Sequence, residues 1–219
     1  METGKVDACG LNGHQFAMVR FLNDELAAKL PEEGLLIQKK YVNELRKWLG
    51  TDEVMLNISE RRFHLRSGNG SETLSLPRSS FIYPDHLSFL ARLEAPDASK
   101  LKLGRKECQE ALDRLHIFNN ESDRCTYFQF SPSEVTLSAQ GQETGSATEH
   151  LDVTFSGDLD RIAFPTRNLI DILGHFQSQQ LTFTLTGAEG PCGIGGTEDP
   201  DYTVLIMPMK IAETSYYEE

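Results

Sequence analysis

The 219-residue chain contains none of the short signatures that carry common catalysis: no glycine-rich dinucleotide fingerprint, phosphate loop, serine elbow or paired-histidine zinc motif. Its histidines (His14, His64, His86, His116, His150 and His175) show no ligand spacing, and its carboxylates are scattered, so no acid–base pair can be nominated. His14 in LNGHQ reads as a turn histidine with a structural role or, alternatively, as a general base. Only four cysteines occur, Cys9, Cys108, Cys125 and Cys192, with no C-x-x-C spacing. That argues against zinc and suits small buried residues in a reducing compartment. No apolar run approaches the roughly 18 residues of a membrane helix, and no charged-then-apolar leader opens the chain. The expectation is a cytoplasmic chain without catalytic residues, metal or cofactor.

Positive charge is also short, with 21 basic against 33 acidic residues and a net charge of −12. Such a chain does not bind nucleic acid over its whole surface. The distribution is uneven, however. Segment 38–49 holds Lys39, Lys40, Arg46 and Lys47 against Glu44, a net of +3, while 104–118 and 165–177 each sum to zero and the rest carries −15. Basic or neutral helices on an acidic body fit a surface that tolerates phosphates along the helices alone. The plain alternative is an ordinary solvated helix face.

What the chain does have is a unit that occurs three times: a short strand, an amphipathic helix, then two or three strands. The first copy is GLLIQ, KKYVNELRKWLG, EVMLNIS, RRFHLRSG and ETLSLP; the second is KLKLG, RKECQEALDRLHIF, CTYFQFS, EVTLSAQG and EHLDVTFS; the third is RIAFP, TRNLIDILGHF, QLTFTLTG and YTVLIMPM. The helices start near Lys39, Arg105 and Thr166, a period of 66 and then 61 residues. A fixed period of one supersecondary unit marks a modular architecture. Val42, Leu45, Trp48 and Leu49 form one apolar helical stripe, as do Cys108, Ala111, Leu112 and Leu115, and Leu169, Ile172, Leu173 and Phe176. Gly50 is expected as a left-handed stop, and Pro165 suits a first helical turn. Alternation such as Val54-Leu56-Ile58 against Met55-Asn57-Ser59 predicts antiparallel sheets with one buried face. The fold class is α+β, curved antiparallel sheets with helices on one face. The glycine-rich stretches SGNGS and EGPCGIGG read as turns.

Residues 1–22 look like two strands, KVDACG and FAMVRF, around LNGHQ, with a polar link on to Leu35. They read as the tail of a fourth unit or as a decorating hairpin. The expected organisation is a partial domain at 1–96, a complete domain at 97–211 and a tail at 212–219.

These segments resemble, in order, those of the bacterial replicative sliding clamp, the beta subunit of DNA polymerase III. YTVLIMPMKI is similar to the closing strand ending MPMRL, GLNGHQFAM to ATDGHRLAL, FIYPDHLSFL to the FPDY segment, and LLIQKKYVNELRKWL to VPRKGVLELLRLL. NNESDR and LDVTFSGDLDRIAF resemble SNEKFRG and LDVTYSGEELEIGF. The resemblance runs from about Lys5 to Ile211 and implies a DNA-clamp fold. In that family three two-unit domains pair head-to-tail into a dimeric ring around duplex DNA, giving the polymerase processivity through non-specific phosphate contacts. It implies DNA contacts at Lys39, Lys40, Arg46, Lys47, Arg105 and Lys106. It also implies a pocket for polymerase and clamp-loader peptides, framed by Leu11, Gly13, His14, Gln15, Phe16, Pro84, Phe89, Asn168, Pro191, Leu205, Met207, Pro208 and Met209. Asn12, Gln15 and the HLSF stretch depart from the family pattern and make the rim less charged.

The family's first domain and half of its second have no counterpart. The two functions that remain are a clamp subunit or fragment, and a clamp-derived peptide-binding module that does not encircle DNA. Ile117 and Phe118, at the family's subunit interface, are expected to be exposed, and the chain to be mainly monomeric or irregularly self-associating. The tail AETSYYEE is expected either to compete for the pocket or to be a disordered terminus.

Overall fold

A computed structural model describes residues 4–50, 53–119, 124–141 and 145–211. The tail at 212–219 lies outside them. The chain divides into two compact units, one of residues 1–7 and 20–85, the other of 8–19 and 86–219.

The hairpin of β1 (Lys5–Leu11) and β2 (Gln15–Leu22) runs through both units. The first unit continues with α1 (Asp24–Lys29), α2 (Lys39–Trp48), β3 (Val54–Ile58), β4 (Arg62–Ser67) and β5 (Thr73–Pro77). Helix α1 occupies what the sequence presented as a polar link. Asn23 caps it, its side chain accepting from the Leu26 N–H at 2.9 Å, and Asp24, Glu25 and Lys29 match the helix dipole. Strands β3, β4 and β5 form an antiparallel sheet with Leu56 opposite Leu65 and Phe63 opposite Leu76. Arg20 holds Asp7 bidentately at 2.7 and 2.8 Å.

Three expectations need correcting here. The stripe of α2 that packs on Phe63, Leu65 and Leu76 is Tyr41, Leu45 and Trp48, while Val42 and Leu49 remain 46% and 41% exposed. The helix carries apolar groups on a wide arc, and only one edge of that arc meets the sheet. Gly50 is not left-handed; Leu49 ends the helix in an extended conformation, its N–H bonded to Leu45. Finally, GLLIQ forms no strand. Leu35 and Ile37 touch the small core, but the backbone has no ladder partner among the described residues.

The second unit comprises α3 (His86–Ala91), a 3-10 turn at Arg92–Glu94, β6 (Ser99–Gly104), α4 (Arg105–His116), β7 (Cys125–Phe130), β8 (Glu134–Gly141), β9 (Gly145–Asp152), β10 (Thr154–Ser156), β11 (Arg161–Pro165), α5 (Thr166–Leu173), β12 (Gln180–Leu185), β13 (Cys192–Gly196) and β14 (Asp199–Ile206). One sheet runs β1-β2-β14-β13-β12-β6-β10 and a second runs β11-β7-β8-β9. Both are antiparallel in every pairing from β2 to β14. The two repeats exchange strands: β6 of the first pairs with β12 of the second, and β11 of the second pairs with β7 of the first. Helices α4 and α5 lie against each other, and the stripes Cys108-Ala111-Leu112-Leu115 and Leu169-Ile172-Leu173-Phe176 are buried as the spacing predicts. Phe128, Phe164 and Phe183 stack edge to face through the core at 5.3 and 6.5 Å.

Two strands were hidden in the sequence. EHLDVTFS is two strands, because at Val153 the chain leaves β8 and its last three residues pair with β6 in the other sheet. CGIGG is not part of a turn but strand β13, whose glycines admit neighbours: a Cβ on Gly193 would run into Leu93, and one on Gly196 into Ser178. Below α5, Asp199 receives the Gln177 and Ser178 N–H groups and the Ser178 hydroxyl, while Arg105 Nε donates to the Ser178 carbonyl at 2.9 Å. Burial pushes the Asp199 carboxyl up, but these hydrogen bonds and the Arg105 charge outweigh it and hold the group below its usual range.

Candidate functional site

The site starts at the turn between β1 and β2. Asn12 Oδ1 accepts from the His14 and Gln15 N–H groups at 3.0 and 2.8 Å, and Gly13 takes a φ of +87°, a conformation that favours glycine. This fixes His14 and Gln15 at the end of β2. The ladder to β14 then sets Phe16 opposite Leu205 and Gln15 opposite Ile206. Beyond the ladder the Met207 N–H donates to the His14 carbonyl at 2.8 Å. Phe16 is buried, stacked with His86 at 6.0 Å and edge-on to Phe89 at 6.3 Å.

Around these groups lies a cavity of about 150 Å³, mostly apolar, within the second unit. Nine of the expected residues line it, Leu11, Gly13, His14, Gln15, Phe16, Phe89, Pro191, Leu205 and Met207, so the sequence-derived pocket is one place in the fold. Asn168, Pro208 and Met209 do not line it. Asn168 sits on α5, and Met209 is drawn away by a 2.8 Å bond from its N–H to the Ala163 carbonyl. Pro84 belongs to the other unit. Arg92 was missed; it lines the cavity from the 3-10 turn and adds a positive charge beside His14 and Gln15. A basic residue just before a Pro-containing link carried no sequence signal for this role.

A broader, shallow hollow of about 350 Å³ lies over β12 and β13, lined by Leu93, four threonines and glycine backbone, and no titratable group lines it. The buried thiols of Cys108 and Cys192 offer no nucleophile either. Burial, with the charge of Glu107 second, pushes Cys108 up to about 12, and burial alone pushes Cys192 higher still.

The expected DNA-contacting residues fall on two helices. In α2, Lys39, Lys40, Arg46 and Lys47 are all exposed. No side chain caps its N-terminus, no acidic residue occupies the first turn, and Lys40 Nζ lies 4.8 Å from the Tyr41 ring centre. Two lysines at the positive end of a helix dipole oppose it, so local helix stability does not explain their placement. In α4, Lys106 is exposed with Glu110 at 3.9 Å, whereas Arg105 is half-buried and engaged with Ser178. After α4, Ile117 is 73% exposed, but Phe118 packs partly against the core, which corrects the expectation that both are open.

Residues 95–210 match the family model of the DNA polymerase III beta subunit, C-terminal domain. The chain belongs to that family. It is 24% identical over 209 residues to the beta sliding clamp of Caulobacter vibrioides (strain NA1000 / CB15N), covering 94% of this chain and 54% of the relative. To the beta sliding clamp of Pseudomonas aeruginosa it is 25% identical over 212 residues, covering 95% and 55%. The chain thus spans about half the length of the curated relatives it matches. Among solved structures, a DnaN sliding clamp from Bartonella birtlesii bound to griselimycin aligns with a TM-score of 0.83 at 24% identity, covering 94% of this chain and 55% of that one. The DNA polymerase III subunit beta from Pseudomonas aeruginosa gives 0.84 at 21%, covering 96% and 56%. The fold is therefore the α+β DNA-clamp fold, with antiparallel sheets built from repeated units.

Proposed function

We propose that this chain is a sliding-clamp subunit or fragment that docks partner peptides in the cavity between the Gly13 turn and Met207 and meets duplex DNA through α2. It acts without catalysis of its own, as a cytoplasmic processivity component, and any polymerase activity belongs to the assembly it serves. In this reading residues 97–211 are the clamp's complete third domain and residues 1–96 the later part of its middle domain. The observation that carries the proposal is the cavity itself. An apolar floor of Phe16 and Leu205, an adaptable Met207 wall and a polar rim of His14, Gln15 and Arg92 suit a short peptide with an apolar anchor. Polymerase and clamp-loader segments are the partners of that kind.

Griselimycin, the ligand of the Bartonella birtlesii clamp, is the probe. Calorimetric titration should give one site per chain. Met207→Asp should weaken binding at least tenfold, about 1.4 kcal/mol, by setting a charge against the apolar floor. Met207 is 36% exposed, so the melting temperature should hold. Binding unaffected by Met207→Asp would remove the cavity from the function. Peptide docking without any DNA binding would favour the module that does not encircle DNA.

A further inference from the structure

The larger sheet of the second unit turns Leu101, Leu103, Leu181, Phe183 and Ile194 into the core shared with α4 and α5. The alternate residues form rows across its other face. One row runs Lys100, Thr184, Gly193, Leu205 and Phe16 over five neighbouring strands, and Lys102, Thr182 and Gly195 lie in the next. The chain carries a net charge of −12, yet these rows hold two lysines and no carboxylate. Lys100 Nζ donates to the Thr184 hydroxyl at 2.8 Å. Among the described residues no carboxylate forms an ion pair with Lys100, Lys102 or Arg92.

The apolar cavity lies at one end of the first row, over Phe16 and Leu205. The hollow of about 350 Å³ lies further along, with Gly195 in its floor and Thr182, Thr184 and Thr203 around it. The 3-10 turn borders both: Arg92 lines the cavity, and Leu93 lines the hollow, seated where a Gly193 side chain would be. A Cβ on Gly195 would meet no atom within 4 Å, so the floor there is bare backbone under open space. Glycine inside a strand marks a place where another backbone can approach closely. The threonine hydroxyls beside it can both donate and accept. From Leu205 to Lys100 is three strand spacings. That is about 14 Å, the length of four or five extended residues at roughly 3.3 Å each.

We propose that the hollow is a second subsite for the peptide docked in the cavity, and that it selects an acidic one. The inference rests on the peptide-docking reading of the cavity. The segment sets its apolar anchor over Phe16 and Leu205, passes the 3-10 turn in extended form and lays its backbone on Gly195 between the threonines. It then brings carboxylates to Lys100 and Lys102, about four to six residues from the anchor. Arg92 adds a third positive charge along this path. Exposed charge pairs are individually weak, so the subsite chooses between partners more than it holds them. Nucleic acid suits the face less well. Two lysines engage few phosphates, and outside the cavity neither row offers an aromatic ring for bases to stack on.

The test uses the full chain and an array of synthetic peptides. Each peptide carries a two-residue anchor drawn from leucine, isoleucine, methionine and phenylalanine. After a neutral spacer of about four residues it carries either two aspartates or two asparagines. Peptides displaced by griselimycin occupy the cavity. Among these, the aspartate members should bind about three- to tenfold tighter than their asparagine twins at low salt, and the gap should close as salt rises. Lys100→Glu with Lys102→Glu should remove the preference. Gly195→Val, which fills the hollow where a side chain meets no neighbour, should weaken both series. Neither variant should change griselimycin affinity or the melting temperature, because Lys100 and Lys102 are exposed and all three positions lie outside the cavity. Equal affinity of the twins, or an aspartate preference that survives both lysine changes, overturns the subsite and leaves the peptide reading of the cavity standing. If griselimycin displaces no peptide, the peptide reading falls and the subsite with it. Duplex DNA binding lost in the lysine variant, with the twin preference unchanged, overturns the proposal by assigning the face to nucleic acid.

Discussion

Phe183→Ala should lower the stability of the second unit by about 3–5 kcal/mol, the cost of removing a fully buried aromatic ring. Phe183 is inaccessible to solvent, stands opposite Leu101 and Ile194 in the two flanking strands, and meets Phe164 edge-on. It therefore joins the two repeats at the centre of their shared core. The chain's one tryptophan, Trp48, lies on α2 of the first unit and provides a separate probe. In denaturant titrations the circular-dichroism transition, dominated by the larger unit, should move to lower denaturant while the Trp48 fluorescence midpoint stays in place. Equal movement of both would mean that the two units unfold as one.

Lys39→Glu with Lys40→Glu should abolish binding to duplex DNA. The double change takes segment 38–49 from +3 to −1, because each substitution removes one positive and adds one negative charge. The wild-type chain should bind without sequence preference, and about four phosphate contacts give a log–log salt slope of roughly −3 to −4. The variant should lose no thermal stability, since glutamates suit the first turn of a helix better than lysines. Fluorescence anisotropy with a labelled duplex at several salt concentrations decides it, and an unchanged affinity would exclude α2 as a DNA-contacting surface.

Where side chains alternate or recur cleanly, the sequence was a sufficient guide. Cys108-Ala111-Leu112-Leu115 is a narrow stripe, and it is buried as read. Helix α2 misled because Tyr41, Val42, Leu45, Trp48 and Leu49 span two faces, and nothing in the spacing reveals that one face has no cover in a single chain. Strand β13 was hidden by its own glycines, which serve to admit Leu93 and Ser178 rather than to turn the chain. The break at Val153 carries no local mark, since it is set by which neighbour is nearer, a long-range matter. For the cavity, the β1–β2 turn was legible in LNGHQ, but its meeting with Met207 depends on a ladder between strands some 190 residues apart. Only the family resemblance joined those segments in advance, and it gave no hint of Arg92.

The run from Gly145 to Ser156 serves both sheets of the second unit, β9 bonded to β8 on one side of Val153 and β10 to β6 on the other. The Val153 and Phe155 N–H groups are tied to the Ser133 and Pro132 carbonyls at 2.9 and 3.0 Å, so the crossing is itself anchored. Two layers stitched by one continuous thread cannot part at the edge where the thread crosses. A load on the outer strand of one layer therefore passes along this thread to the outer strand of the other, and the two layers share one bound margin.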